Sequence, residues 1–248
     1  MIGRVARFLV GLAALAALPL AAGATPPDVI TKARFVEPTT RYDHGILGDA
    51  VEWGALQLTV DKCPGCAGRD IRNVTIRLPE TRVFEDLAPR IIEGDDGSAL
   101  VMVVETDLDR GARLALYDSE GLHAATPFIG RTHRWLAPLG AGDLDGDGAI
   151  EIAYVDRPHL AKTLRIWRLQ DGRLTHVVDQ PGLTNHRIGW EYILGGIRDC
   201  GEGPEIVTAD ADWGRVMLTR FTTAGKLQSR DAGAYAGRDS VDRALACR

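Results

Sequence analysis

Residues 141–156 read AGDLDGDGAIEIAYVD, and this stretch decides the fold. Its first half sets aspartate among leucine and glycine, which is typical of a tight loop. Its second half, residues 150–155, is rich in apolar and β-branched residues and has the length of a strand. The residues before the loop are also apolar or small. The stretch therefore predicts a loop that joins one strand to another.

The same loop has the donor pattern of a cation site. Asp143, Asp145 and Asp147 occupy positions 1, 3 and 5, so three carboxylates can point inward, and Gly148 at position 6 permits the sharp turn. Four acids within nine residues repel one another unless a cation lies among them. Calcium takes several oxygen ligands, whereas magnesium demands stricter octahedral geometry. We predict Ca²⁺ as the cofactor, held by Asp143, Asp145, Asp147, Glu151 and the backbone carbonyl of Ala149.

Two alternatives remain open for this loop. An EF-hand shares the first positions but needs a bidentate glutamate at position 12 and a helix on each side. Position 12 here is Tyr154, inside a strand pattern, which argues against an EF-hand. An ordinary turn of aspartate and glycine is the simpler structural interpretation.

The layout of strand, Gly/Asp loop and strand recurs along the chain. Each of four loops carries a marker aspartate, and the spacings between markers are 46, 48 and 56 residues. In the last three units a turn glycine follows the marker by 26, 29 and 26 residues. The markers are Asp49, Asp95, Asp143 and Asp199, and the turn glycines are Gly121, Gly172 and Gly225. A repeat of this length fits one four-stranded blade whose faces are buried by its neighbours.

These spacings predict an all-β fold class, a small β-propeller of four blades built from repeats of about 46–56 residues. A fifth, degenerate blade near the termini is the open alternative. The tail at residues 240–246 is expected to be a short helix or a closing strand. No segment after the N-terminal stretch shows the 3.6-residue stripe of a long helix.

The segment 142–152, set in a strand–loop–strand repeat, resembles the FG-GAP or VCBS-type repeat of integrin-α-like β-propellers. In that family the loop binds calcium inside a blade, which implies the ligand set named above. The resemblance is specific for one repeat and covers the other three in outline. The loops at Asp49, Asp95 and Asp199 lack the full acid set, and we expect none of them to bind calcium strongly. Family members serve adhesion, lectin-like and enzymatic roles, so the resemblance leaves function open.

The N-terminus has the pattern of a secretory signal peptide. Arg4 and Arg7 precede an apolar stretch at residues 8–22, and an A-x-A cleavage motif ends at residue 24. A membrane anchor is the alternative, but the stretch is interrupted and short for a bilayer. We predict a signal peptide at 1–24, a single β-propeller-like repeat domain at 25–248, a periplasmic or secreted location and no transmembrane segment after cleavage.

The charge balance bears on the partners. Removal of the signal peptide takes away two arginines and no acid, so the formal net charge moves from -5 to -7. Phosphate backbones require a basic face. We therefore predict no nucleic acid partner.

Four cysteines in an exported chain predict two disulfides. Cys63 and Cys66 enclose a Pro-Gly turn and are expected to clip it, and Cys200 and Cys247 would then tie the chain end to an earlier loop. Three connectivities remain open on the sequence alone. A zinc or redox role for the first pair is disfavoured, because no second C-x-x-C pair or thioredoxin-like context accompanies it.

The segments before the marker loops carry histidine, arginine and tryptophan. In a propeller, equivalent positions of successive blades meet around one face near the axis. Arginine there fits a carboxylate or phosphate, and tryptophan can stack on a sugar or another flat group. The candidate ligand-binding residues are His44, His133, Arg134, Trp135, His186 and Arg187, with buried core roles as the structural alternative. The polar turn at residues 156–159 is interpreted as a turn first and as a ligand-facing loop second.

The sequence contains no G-x-S-x-G elbow, H-E-x-x-H helix, Walker loop or dinucleotide fingerprint, and no catalytic residue is predicted. We therefore favour a binding or interaction module for a protein, a glycan or a small anionic ligand, with calcium in a structural role. The alternative is a periplasmic or secreted hydrolase with a pocket on the propeller face. A third interpretation is a subunit of an envelope assembly, which would expose a large apolar patch.

Overall fold

The computed structural model describes residues 28–66 and 68–248. The predicted signal peptide, residues 1–24, lies outside the described residues. Within them the chain is all-β with one short helix, which confirms the predicted class of secondary structure. No helix in these residues has the length and apolar character needed to cross a bilayer.

The first sheet contains eight strands. They are β1 (Val29–Thr39), β2 (Glu52–Asp61), β3 (Ile71–Arg77), β4 (Arg82–Phe84), β5 (Arg90–Glu93), β6 (Ala99–Asp107), β7 (Gly111–Tyr117) and β8 (Leu122–Ala125). Their order is β1-β2-β4-β6-β7-β8, with β3 beside β2 and β5 beside β6. One residue pair, Trp53 with Phe84, joins β2 to β4. The sheet therefore consists of a β1–β3 part and a β4–β8 part with a narrow connection.

Two smaller sheets follow along the chain. The second contains β9 (Leu136–Gly142), β10 (Ile150–Asp156), β11 (Thr163–Gln170) and β12 (Arg173–Pro181) in simple antiparallel sequence. The third contains β13 (Leu183–Thr184), β14 (Gly196–Asp199), β15 (Pro204–Asp210), β16 (Arg215–Thr222) and β17 (Lys226–Ala234).

In the first and third sheets, the strand that precedes a long central strand is interrupted. β4 and β5 pair with opposite ends of β6, and β13 and β14 pair with opposite ends of β15. Residues 85–89 and 185–195 connect the two halves in each case. These two loops matter for the site, because Glu85 and His186 lie at their starts.

The central strands bury both of their faces. In β6, Met102 contributes to one apolar cluster and its neighbour Val103 to another. In β10, Ile152 and Ala153 are divided between two clusters in the same way. Alternate side chains of a strand point to opposite faces, so β6 and β10 each pack against apolar residues on both sides of their sheets. Each fully buried aliphatic side chain contributes about 1.5–3 kcal/mol to this packing.

The helix covers the last sheet. α1 (Arg238–Leu245) places Val241 and Ala244 against Val207, Val216 and Leu218. Of the two structures expected for the tail, the chain adopts the helix. The apolar face of the third sheet is thereby shielded from water.

Three marker aspartates lie in equivalent hairpins. Asp95 and Asp143 lie in the loops that join β5 to β6 and β9 to β10, and Asp199 is the last residue of β14, directly before the loop to β15. Asp49 differs, because it lies in a long loop, residues 40–51, between β1 and β2. The first unit therefore departs from the layout of the other three.

Both predicted disulfides are present. Cys63 is bonded to Cys66 in the β2–β3 connection, and Cys200 is bonded to Cys247, which follows α1. The second bond joins positions 47 residues apart and ties the chain end to the β14–β15 loop. Disulfides persist in oxidising compartments, which favours a location outside the cytoplasm.

Candidate binding sites: an acidic loop and a histidine-rich cleft

The acidic loop forms the β9–β10 hairpin and is shaped by its own carboxylates. Asp143 accepts hydrogen bonds from the backbone N–H of Gly146 at 2.7 Å and of Gly148 at 3.0 Å. Asp147 accepts one from the N–H of Ala149 at 2.9 Å. Both glycines have positive φ, 82° and 89°, a conformation that costs other residues energy. Local chemistry alone therefore explains much of the turn.

Three carboxylates converge at this loop. One oxygen from each of Asp143, Asp145 and Glu151 lies within 4.8 Å of the other two. Glu151 is fully buried at the start of β10 and accepts a hydrogen bond from the N–H of Leu144 at 3.0 Å. Burial raises the pKa of the Glu151 carboxyl above its ordinary value. The three carboxylates together can hold a metal ion, but their geometry does not select calcium over other metal ions.

An arginine already contacts this cluster. Arg168 lies opposite Glu151 in the β10–β11 pair. Its guanidinium is 2.6 Å from Glu151, 3.2 Å from Asp145 and 2.9 Å from Asp147. The side chain therefore neutralises part of the charge that a metal would otherwise balance. No sequence motif predicts this contact, because the position of Arg168 depends on the register between β10 and β11.

Equivalent positions in the third sheet carry a different charge arrangement. Glu205 pairs with Arg198 at 2.7 Å and with Arg230 at 2.9 Å. Asp199 accepts only backbone N–H groups, from Gly201 and Gly203. Among the described residues, the Asp143 group is the one cluster of three or more metal-ligating side chains.

The second candidate site gathers four of the six histidines of the chain. The rings of His44 and His133 lie 5.1 Å apart, centre to centre, and those of His159 and His186 lie 5.2 Å apart. The ring of Trp135 lies 4.9 Å from His186. These residues lie in four loops, which join β1 to β2, β8 to β9, β10 to β11 and β13 to β14.

A small cleft of about 30 Å³ lies among these loops. It is lined by His44, Ile46, His133, Arg134, Trp135, Arg157, His159 and Leu160. Two of these residues have left-handed backbone conformations, with φ of 53° at His133 and 44° at Arg157. Non-glycine residues adopt this region at a cost of about 1 kcal/mol or more, and such strain clusters at functional sites.

A buried acid–imidazole pair lies at the cleft. Nδ1 of His44 is 2.5 Å from Oε1 of Glu85, which is fully buried. The hydroxyl of Thr106 donates to the other carboxylate oxygen at 2.6 Å, and Trp135 Nε1 donates to the Glu85 backbone carbonyl at 2.9 Å. Burial raises the pKa of Glu85. Nearby Glu52 is also buried, and burial together with repulsion from Glu85 raises its pKa to about 9.

The other two histidines form a chain of hydrogen bonds. Nε2 of His159 is 3.0 Å from Nδ1 of His186, and Nε2 of His186 is 2.9 Å from the backbone carbonyl of Trp190. Burial, followed by repulsion from His186 and His44, lowers the pKa of His159 to about 4. Burial likewise lowers the pKa of His186. Both rings are therefore neutral at pH 7.

The arginines around the cleft have different partners. Arg157 is held by Asp156, with an N–O distance of 2.8 Å. Arg134 donates to the carbonyl of His133 at 2.8 Å and forms no ion pair with any described residue. Arg187 lies away from the cleft lining, where its guanidinium is 4.6 Å from the centre of the Trp213 ring. No carboxylate lines the cleft, but acids outside the lining pair with three of its residues, Glu85 with His44, Asp43 with His133 and Asp156 with Arg157, which leaves Arg134 as the arginine of the lining without an acidic partner among the described residues.

Five of the six predicted ligand-binding residues lie together. His44, His133, Arg134 and Trp135 line the cleft, and His186 contacts it through Trp135 and His159. Trp135 is only 2% exposed, so it forms the floor and offers no face for stacking. The sequence did not indicate Glu85 or Glu52, and it indicated His159 and Arg157 only through the polar turn at residues 156–159.

No protein-family model, no curated protein and no solved structure matches this chain. The interpretation of both sites therefore depends on their own geometry.

Proposed function

We propose that this protein is an exported binding module whose ligand site is the histidine-rich cleft, and that the ligand carries a small anionic group. The observation that carries the proposal is the lining of the cleft, which combines two arginines and three histidines with no acid. Arginine binds carboxylates and phosphates through its planar, bidentate donor set. A ligand is therefore attracted by charge and oriented by direct hydrogen bonds.

Arg134 supplies the most available charge. Its guanidinium has no acidic partner among the described residues, in contrast to Arg157, which Asp156 neutralises. An incoming anion can pair with Arg134 without breaking an existing ion pair. The preceding residue, His133, keeps its left-handed backbone conformation because its N–H donates to the Tyr42 hydroxyl at 2.8 Å, and this contact fixes the loop beside Arg134.

The acidic loop has a separate, structural role in this proposal. Calcium bound by Asp143, Asp145, Asp147, Glu151 and the Ala149 carbonyl would pin the β9–β10 hairpin. The convergence of three carboxylates supports a cation there. Because Arg168 already contacts three of the acids, calcium must displace this guanidinium or bind beside it.

The architecture proposed is a small propeller of the FG-GAP or VCBS type. Supporting observations are the hairpin positions of Asp95, Asp143 and Asp199 and the burial of both faces of the central strands. One observation departs from a regular propeller: the first two units share one sheet through the pairing of Trp53 with Phe84. The two disulfides support a periplasmic or secreted location.

A hydrolase is the second candidate, and one contact favours it. The buried carboxyl of Glu85 orients His44 through Nδ1, which leaves Nε2 of the same ring free to act as a base. No serine, cysteine or threonine lines the cleft, so such a base would have to activate water. An enzyme of this kind would lose turnover, while keeping ligand affinity, when His44 is replaced by glutamine.

The test is thermal melting of residues 25–248 in phosphate, sulfate, acetate, succinate and citrate at fixed ionic strength. A ligand that binds only the folded state raises the melting temperature as its concentration exceeds Kd. We expect at least one anion to do so in wild type and not in the Arg134→Gln variant. Equal melting temperatures in all five anions and in chloride would contradict the proposal.

A further inference from the structure

The His159–His186 pair has only one arrangement of protons when both rings are neutral. A backbone carbonyl accepts hydrogen bonds only, so Nε2 of His186 must carry the proton that it donates to Trp190. Nδ1 of His186 is then an acceptor, and Nε2 of His159 donates to it across 3.0 Å. By elimination, Nδ1 of His159 is the one ring nitrogen of the pair that can take a further proton.

We propose that this pair makes the cleft a proton-coupled anion site, in which each bound anion is accompanied by one proton taken up at Nδ1 of His159. This inference rests on the proposed function, because it concerns the same ligand. The geometry behind it is the position of the His159 ring in the cleft wall, beside Arg134 and Arg157, with His186 buried behind it.

The surroundings of His159 explain why the anion is needed. The groups that face it are His186 from the β13–β14 loop, His44 from the β1–β2 loop, and Arg157 and Lys162 from its own loop. His133 and Arg134 complete the cleft wall. The nearby acids are each engaged by another residue: Glu85 pairs with His44, Asp43 with His133 and Asp156 with Arg157. In the empty cleft these groups oppose a positive charge on His159, and an anion reverses that balance.

The expected pH dependence has a definite sign. Without an anion the pKa of His159 is about 4, and a bound anion raises it. At pH values between these two pKa values, the anion binds more tightly as pH falls. In the steep part of this range the affinity rises by roughly tenfold per pH unit, because one proton enters with each anion. Above the range the affinity is lower and independent of the protonation of this pair.

The experiment is isothermal titration of residues 25–248 with sodium sulfate, since sulfate does not titrate near neutral pH. Titrations at pH 6.0 in two buffers of different ionisation enthalpy give the number of protons taken up per sulfate. We expect close to one proton for wild type and close to zero for His159→Gln. The matched control is His176→Gln, an exposed histidine paired with Asp179, which should behave as wild type.

The outcomes separate the two proposals. Sulfate binding without proton uptake overturns the proton-coupled site and leaves the anion-binding function standing. Absence of binding by sulfate and by every other anion of the panel overturns both. Proton uptake that persists in His159→Gln also overturns the assignment to this pair. Because the wild-type measurement needs no variant, poor folding of His159→Gln does not remove the test.

Discussion

Arg168 lies directly across from Glu151 in the β10–β11 ladder, and its Nε is 2.6 Å from Oε1 of that buried carboxylate. The same guanidinium reaches Asp145 and Asp147. Arg168 therefore serves as the counter-ion of the acidic loop. Whether calcium binds there becomes a competition between a metal and an arginine.

The Arg168→Gln variant should depend on calcium more strongly than wild type. Loss of the guanidinium leaves the buried Glu151 carboxylate without its charged partner, so the unfolding free energy in EDTA should fall by about 1–3 kcal/mol. Saturating calcium should recover most of this loss. Urea unfolding with EDTA and with calcium measures both effects. As a control, Arg173→Gln removes an exposed arginine of β12 and should change neither value; an equal calcium response in Arg168→Gln and wild type would count against the metal site.

Wild type itself should melt at a lower temperature in EDTA than in calcium. Asp145→Ala should abolish this difference, because it removes one of the converging carboxylates. It should also lower stability in EDTA, since Asp145 pairs with Arg168. Differential scanning calorimetry of both proteins gives the comparison. The structural role of calcium is lost as an explanation if EDTA leaves the wild-type melting temperature unchanged.

Glu52 should make the protein less stable as pH rises. Burial and three neighbouring carboxylates raise its pKa from 4.5 to about 9. Between these two values the folded state keeps a proton that the unfolded state releases, so stability falls with rising pH, by at most about 1.4 kcal/mol per unit. Glu52→Gln mimics the protonated acid.

Unfolding of Glu52→Gln at pH 5 and pH 8 measures this contribution. The variant should match wild type near pH 5 and be more stable than wild type at pH 8. Glu93→Gln, an exposed acid of β5, serves as the control and should follow the wild-type curve. A Glu52→Gln curve with the same slope as wild type would show that Glu52 is ionised in the folded protein.

The two disulfides should contribute unequally. Cys200–Cys247 closes a loop 47 positions long, which corresponds to about 4 kcal/mol in the chain-entropy model. Cys63–Cys66 closes a loop of three positions and corresponds to about 2 kcal/mol. The double variant Cys200→Ser/Cys247→Ser should therefore lose more unfolding free energy than Cys63→Ser/Cys66→Ser. Urea unfolding under oxidising conditions compares them, and the reverse order would mean that α1 is held by packing alone.

Much of the fold followed from local sequence patterns. The acidic loop, the strand after it and the hairpin positions of Asp95 and Asp199 all depend on residues close in sequence. The pairing of Cys200 with Cys247 was the expected one, because Cys63 and Cys66 lie three positions apart, but the sequence alone left three connectivities open. The shared first sheet did not follow, because a single long-range pair, Trp53 with Phe84, creates it.

The cleft could be predicted only in part. His44, His133 and His186 precede strands in their own units, so a repeat pattern could align them. Glu85 has no histidine pattern around it, and His159 follows a strand where the others precede one. Their approach depends on tertiary packing, which no periodicity in the sequence records.

The measurement that tests the central claim most directly is the affinity of residues 25–248 for the five-anion panel, by isothermal titration, in Arg134→Gln and Arg131→Gln. Arg131 lies in the same loop and carries the same charge but does not line the cleft. We predict that the tightest-binding anion binds wild type with a Kd below about 1 mM. Arg134→Gln should weaken this affinity by roughly tenfold or more, because it removes a charge-assisted hydrogen bond. The affinity of Arg131→Gln should stay within about twofold of the wild-type value. Equal affinities in the two variants would contradict the account.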